Sequence, residues 1–228
     1  MRFPANGSSG IISPASAKRA EIRQLISVFM RVIAGTYRSR VLRSLKGPAL
    51  RPTSDRLRET LFNVLGSDVA GARFVDLFAG TGAVGIEALS RGAVEVVFIE
   101  NHPPAAALIR SNLGSLSVRS GFQVLASDVV RGLEKLASRK QRAYQRFDCV
   151  FLDPPYSAAE QYARVLEFLG STDLLASGAI VVAEHRRKFD LPEQAGALRR
   201  VRVLRQGDAA LSFYHRDGAA IEENGSAE

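Results

Sequence analysis

The chain has 228 residues with 31 Lys and Arg against 23 Asp and Glu, three His and a single Cys, giving a net charge of +8. That length suits one α/β domain with a small appendage and is ample for a buried core. Lone Cys149 excludes an intramolecular disulfide or a zinc cluster. No apolar run approaches the ~18 residues of a membrane helix and no credible signal core opens the chain, so a soluble cytoplasmic protein is expected.

Residues 1–29 hold Pro, Gly, Ser and Ala without a sustained period and read as a loose extension, with a helical patch around Glu21 to Phe29. Residues 30–66 form a basic appendage: a small hairpin over 31–45 near Gly35-Thr36, then a helix capped by Thr53 or Ser54. Leu57, Leu61, Val64 and Leu65 recur at helical spacing as its buried stripe. Charge is concentrated here. Residues 1–60 carry 12 basic against 3 acidic side chains, and 61–228 carry 19 against 20. Arg38, Arg40, Arg43, Lys46, Arg51, Arg56 and Arg58 fit a phosphate-tracking arm; a merely solvated basic face is the plainer reading.

From residue 67 to 216 strands alternate with helices, as in a doubly wound, mostly parallel sheet. Arg73–Phe78 reads as a buried strand, followed by Ala79-Gly80-Thr81-Gly82-Ala83-Val84-Gly85, a glycine-rich turn into a helix ending near Gly92. Glycine at 80 and 82 lets backbone approach a ligand, and Gly85 allows close helix–sheet packing. The second strand, Val94–Ile99, ends in Glu100, where an acid can accept from ribose hydroxyls. A third, Gly121–Ala126, leads to Asp128, which either receives an adenine amino group or caps the next helix. Asp76 precedes the glycine turn and would repel a pyrophosphate but attract a cationic amine. S-adenosylmethionine, with an α-amino group, a ribose and an adenine, fits these positions better than a nicotinamide or flavin cofactor.

The fourth strand, Phe147–Leu152, leads into Asp153-Pro154-Pro155-Tyr156. Two prolines in series hold the Asp153 carboxylate and the Pro154 carbonyl in a defined orientation as acceptors for an exocyclic NH2, and Tyr156 offers a stacking face. A helix over about 158–169, a strand over 178–183 and an antiparallel hairpin of 198–204 with 209–215 complete the sheet; 217–228 read as a frayed tail. His102, His185 and His215 lack metal-ligand spacing, and no metal site is proposed.

Three blocks, Met30–Arg38, Leu50–Asn63 and Asp76–Ala93, together with the Asp153 tetrapeptide, resemble the bacterial 16S ribosomal RNA guanine-N2 methyltransferases over most of residues 30–216. The resemblance implies a seven-stranded class I methyltransferase sheet with the basic hairpin and helix appended. It also implies S-adenosylmethionine-dependent methylation of guanine N2 in 16S RNA, with a small-subunit assembly particle as partner and a monomeric enzyme. Catalytic positions are then Asp153, Pro154 and Tyr156. Cofactor positions are Asp76, Phe78, Ala79, Gly80, Gly82, Glu100, Asn101 and Asp128, and RNA positions are Arg38, Arg40, Arg51, Thr53, Arg56 and Arg58. An adenine-N6 methyltransferase, a dehydrogenase and a non-catalytic assembly factor are the competing readings.

Overall fold

The computed structural model of the chain describes residues 26–45, 54–138, 146–155 and 159–216. Strand β1 (Ile26–Arg31) pairs antiparallel with β2 (Val41–Leu45), Arg31 lying opposite Val41. The hairpin thus begins earlier than its sequence indicated, and the helix expected up to Phe29 is strand over 26–29. A short apolar run has no decisive period of its own, so the pairing of 26–31 with 41–45 decides its state. Helix α1 (Asp55–Leu65) follows, capped by Ser54, whose hydroxyl accepts from the Leu57 N–H at 3.2 Å. Thr53, the other candidate cap, lies outside the described residues. Leu57, Leu61, Phe62 and Leu65 are buried on the face of α1 that meets the sheet.

The main sheet is built from β3 (Arg73–Leu77), β4 (Glu95–Glu100), β5 (Phe122–Ala126), β6 (Phe147–Leu152), β7 (Leu175–Arg186), β8 (Gln194–Ala195), β9 (Leu198–Gln206) and β10 (Ala209–Arg216). Its order is β5-β4-β3-β6-β7-β10-β9-β8. The five strands from β5 to β7 are parallel and the last three antiparallel. Seven strands were expected; the eighth is a two-residue edge, too short to carry a sequence signal. Successive parallel strands are joined by α2 (Ala83–Ser90), α3 (Pro103–Ser115), α4 (Val129–Ala137) and α5 (Glu160–Ser171).

Alternation of side chains divides the core into two layers. Phe74, Phe98, Phe151, Val182 and Phe213 face α1, α2, α3 and the hairpin. Val75, Val97, Val150, Val181 and Tyr214 face α4 and α5. Cys149 packs in the first layer as a small hydrophobe. At Gly85 an added Cβ would lie 2.3 Å from the Phe98 ring, so glycine permits α2 to sit this close to the sheet. No described helix is long and apolar enough to cross a membrane.

Candidate active site

After β3 the chain builds β4 and β5 on one side, then crosses to place β6 on the other, so the order reverses between β3 and β6. In an open α/β sheet a ligand crevice forms at that reversal, beyond the carboxyl ends of the strands. Leu77 pairs with Ile99 on one side and Leu152 on the other, and Leu152 pairs with Ala183. Continuing that register one residue brings Glu100, Asp153 and Glu184 level, with Asp76 a step deeper. All four carboxylates share the parity of Phe98, Phe151, Val182 and Phe74 respectively, and so project toward the α2 face.

Asp76 is 2% exposed and its Oδ2 accepts from the Gly85 N–H at 2.9 Å, at the start of α2. Burial pushes its carboxyl up to about 8; the Gly85 N–H pulls the other way and the Glu100 charge adds to the rise. Phe78 then takes φ 58, a left-handed conformation that costs a non-glycine residue on the order of 1 kcal/mol. The turn it makes sends the Ala79 N–H to the Ile99 carbonyl (3.1 Å) and the Gly80 N–H to Glu100 Oε2 (2.8 Å). Glu100 Oε1 accepts from the His102 N–H at 2.7 Å. Buried Glu100 therefore ties the glycine turn to the segment after β4, where Asn101 is exposed. Gly80 and Gly82 have φ 54 and 76, and a Cβ at Gly82 would crowd Ile109 and Phe98 at 3.1–3.4 Å.

Asp128 realises the capping alternative: its Oδ1 accepts from Val130 and Arg131 N–H at 3.1 and 3.3 Å, opening α4. Half-buried Asp153 stands at the end of β6, followed by buried Pro154. Its carboxyl is raised well above the usual range, first by burial, then by Glu184 and Asp76. Tyr156 lies outside the described residues. Glu184, buried on β7, is a site residue the sequence reading passed over, although the strand-end rule that located Asp76, Glu100 and Asp153 applies to it equally. Among the described residues, no three or more His, Cys, Asp or Glu side chains are grouped to hold a metal ion.

The basic appendage docks on α2 and α3. Buried Glu87 accepts the Ile33 and Ala34 N–H groups at 2.7 and 2.9 Å, and the Ser90 carbonyl accepts Thr36 N–H at 2.8 Å. Gly35, at φ 79, permits this approach, since a Cβ there would lie 1.8 Å from the Ser90 carbonyl oxygen. Asn112, 1% exposed, accepts from Arg43 N–H (3.0 Å) and donates to the Arg43 carbonyl (3.0 Å) and the Thr81 carbonyl (3.1 Å). It thereby joins β2 directly to the glycine turn. Arg38, Arg40 and Arg56 are exposed, Arg40 donating to the Ser115 carbonyl.

Arg58 departs from its expected role. Its side chain is fully buried, bonded to the Arg31 carbonyl (2.6 Å) and Asp55 (2.9 Å) and 4.0 Å from Glu87, so it cannot reach a phosphate. It braces the hairpin from within. Arg51 and Thr53 lie outside the described residues. A second, local basic cluster lies outside the N-terminal part, where the overall balance is even: between 186 and 205 seven basic residues meet two acidic ones.

A family model described as conserved hypothetical protein 95 matches residues 30–215. The chain is 36% identical over 189 residues to a putative rRNA methyltransferase, YlbH, of Bacillus subtilis, covering 83% of this chain and 100% of that protein. It is 33% identical over 192 residues to ribosomal RNA small subunit methyltransferase D of Escherichia coli K12, covering 82% and 90%. In structure it is similar to the putative methyltransferase yhhF of Escherichia coli, with a TM-score of 0.70 at 30% identity over 83% of this chain and 99% of that one.

Proposed function

The chain belongs to the conserved hypothetical protein 95 family, and from that membership we propose that it transfers the methyl group of S-adenosylmethionine to the exocyclic N2 amine of a guanine in small-subunit ribosomal RNA. The observation that carries the reading is the convergence of Asp76, Glu100 and Asp153 on one face of the β3–β6 reversal, beside a glycine turn in which Phe78 and Gly80 are half-buried. The relatives named as ribosomal RNA methyltransferases support the substrate class. Guanine N2 is our own assignment, as are the cytoplasmic location, the small-subunit assembly particle and the monomeric state.

S-adenosylmethionine supplies a methyl carbon activated by the sulfonium charge. The protein's part is placement. Asp76, ionised, offers a buried countercharge to the cationic methionine end, and Glu100 keeps lone pairs for the ribose hydroxyls after its two backbone contacts. Half-buried Gly80 leaves backbone uncovered by a Cβ, while the missing Cβ of Gly82 makes room for Ile109 and Phe98. On the substrate side the Asp153 carboxyl and the Pro154 carbonyl accept the two amino hydrogens. This draws the nitrogen lone pair out of conjugation and aims it at the methyl carbon for in-line displacement. Methyl transfer from the bound cofactor would leave the nitrogen cationic, and it would then release a proton. Asp153 can take that proton in its ionised form, which burial and the Glu184 charge disfavour.

The arm of Arg38, Arg40 and Arg56 holds phosphates while the target base, unpaired or extruded, enters the crevice. The test is incubation of labelled cofactor with small subunits and RNA from cells lacking the enzyme, followed by nucleoside analysis. N2-methylguanosine at one position is expected. N6-methyladenosine, or label entering DNA instead, overturns the assignment.

A further inference from the structure

At the antiparallel end of the sheet a cavity of about 250 Å³ is lined by Arg187, Lys188, Phe189, Asp190, Arg200 and Arg205, among others. The segment after β7 and strand β9 meet there because Arg205 lies opposite Ala210, which lies opposite His185. Asp190 is already engaged: Arg200 donates to it at 2.9 Å and to the Leu191 carbonyl at 2.6 Å, which fixes that guanidinium. Arg187, Lys188 and Arg205 are exposed and form no ion pair among the described residues. Arg205 also feels the Asp190 charge, so the lining sets Arg187, Lys188, Arg200 and Arg205 against one carboxylate, a positive excess that attracts an anion. Phe189 adds an apolar face, 36% exposed and packed on Tyr162 at 5.5 Å between ring centroids.

Cations beside an exposed aromatic ring are the elements of a single-stranded nucleic-acid site, one binding the backbone and the other stacking a base. The cavity lies near the same end of the sheet but on its other face: His185 alternates with Glu184 and shares the parity of Val181 and Ala183, which face α4 and α5. Strand β7 carries Glu184 level with Asp153 and reaches Arg187 three residues later. Three strand spacings separate β6 from β9, roughly 14 Å at ~4.8 Å each. We propose that this cavity binds a phosphodiester of the single-stranded RNA flanking the target base, with Phe189 as the platform for a neighbouring base. The proposal rests on the RNA-methyltransferase reading and gives the substrate a second anchor, on the sheet face opposite the N-terminal arm.

The experiment measures fluorescence anisotropy of a labelled single-stranded RNA across a salt series, for the full chain and for an Arg187→Gln/Lys188→Gln/Arg205→Gln variant. Each phosphate contact on a single strand contributes about 0.7 to the slope of log K against log salt and roughly fivefold in affinity at 0.1 M. The variant should therefore lose a slope of roughly 2, with cofactor affinity and thermal unfolding unchanged. Phe189→Leu should weaken binding about tenfold with the slope retained. A triple variant with the parent slope and affinity overturns the proposal, and if that variant unfolds, Lys188→Gln alone decides, by a loss of about 0.7. RNA that binds with the expected slopes yet is never methylated would refute the proposed function and leave this site standing.

Discussion

Replacing Asp76 by Asn keeps the shape of the side chain and an oxygen able to accept from Gly85, but removes the charge. In the parent, a carboxyl near pKa 8 is ionised in about 1% of molecules at pH 6 and about 9% at pH 7. The cofactor's α-amino group stays largely protonated across that interval. If the ionised form holds the cationic methionine end, affinity rises about tenfold from pH 6 to 7 and binding at pH 6.5 releases nearly one proton. Titration calorimetry in buffers of different ionisation enthalpy reads both quantities. The Asn variant should bind more weakly at pH 7, with a flat profile and no proton release. Stability moves in the opposite sense. Because the folded value lies above the ordinary aspartate value of 3.8, protonation favours the folded state, and that contribution is lost as pH rises from about 4 through about 8. The Asn variant should therefore gain stability relative to the parent at pH 9, read as the urea midpoint. A pH-independent affinity in the parent, or a tenfold rise that survives in the variant, would refute the role given to Asp76.

Asp153→Asn should lower kcat by a factor of at least about 100, since it replaces a carboxylate able to accept both a hydrogen bond and a proton by a neutral amide, while the cofactor Kd changes little; an equal loss in both would place Asp153 in cofactor binding. Arg56→Ala should weaken RNA binding and reduce the salt slope by about 0.7 with the fold intact. Arg58→Ala, by contrast, should destabilise the protein by about 3–5 kcal/mol by stripping a buried ion-pair network of its cation; equal stability of the two variants in urea would contradict this division. Asn112→Ala leaves three backbone groups of Arg43 and Thr81 without their partner at about 1 kcal/mol or more each. It should also weaken cofactor binding, measured by calorimetry, because the carbonyl it releases belongs to the glycine turn.

What could be read from the chain alone was local. Alternating apolar runs and glycine-rich turns fix strand–helix succession over a few residues. The rule that α/β ligands gather at strand ends predicts Asp76, Glu100, Asp128 and Asp153 along one crevice. Asp128 kept two readings because a helix cap and a ligand contact ask for the same residue type at the same place. Only the fold separated Arg56 from Arg58: both sit in one charged run, and which one is interior depends on Glu87 and the Arg31 carbonyl meeting α1 from distant parts of the chain. The link from β2 through Asn112 to Thr81 likewise joins residues 69 and 31 positions apart. The second basic edge was hidden for a related reason. Counting charge along a sequence averages acidic and basic residues that folding later separates, and the field at a surface is set by distance in space.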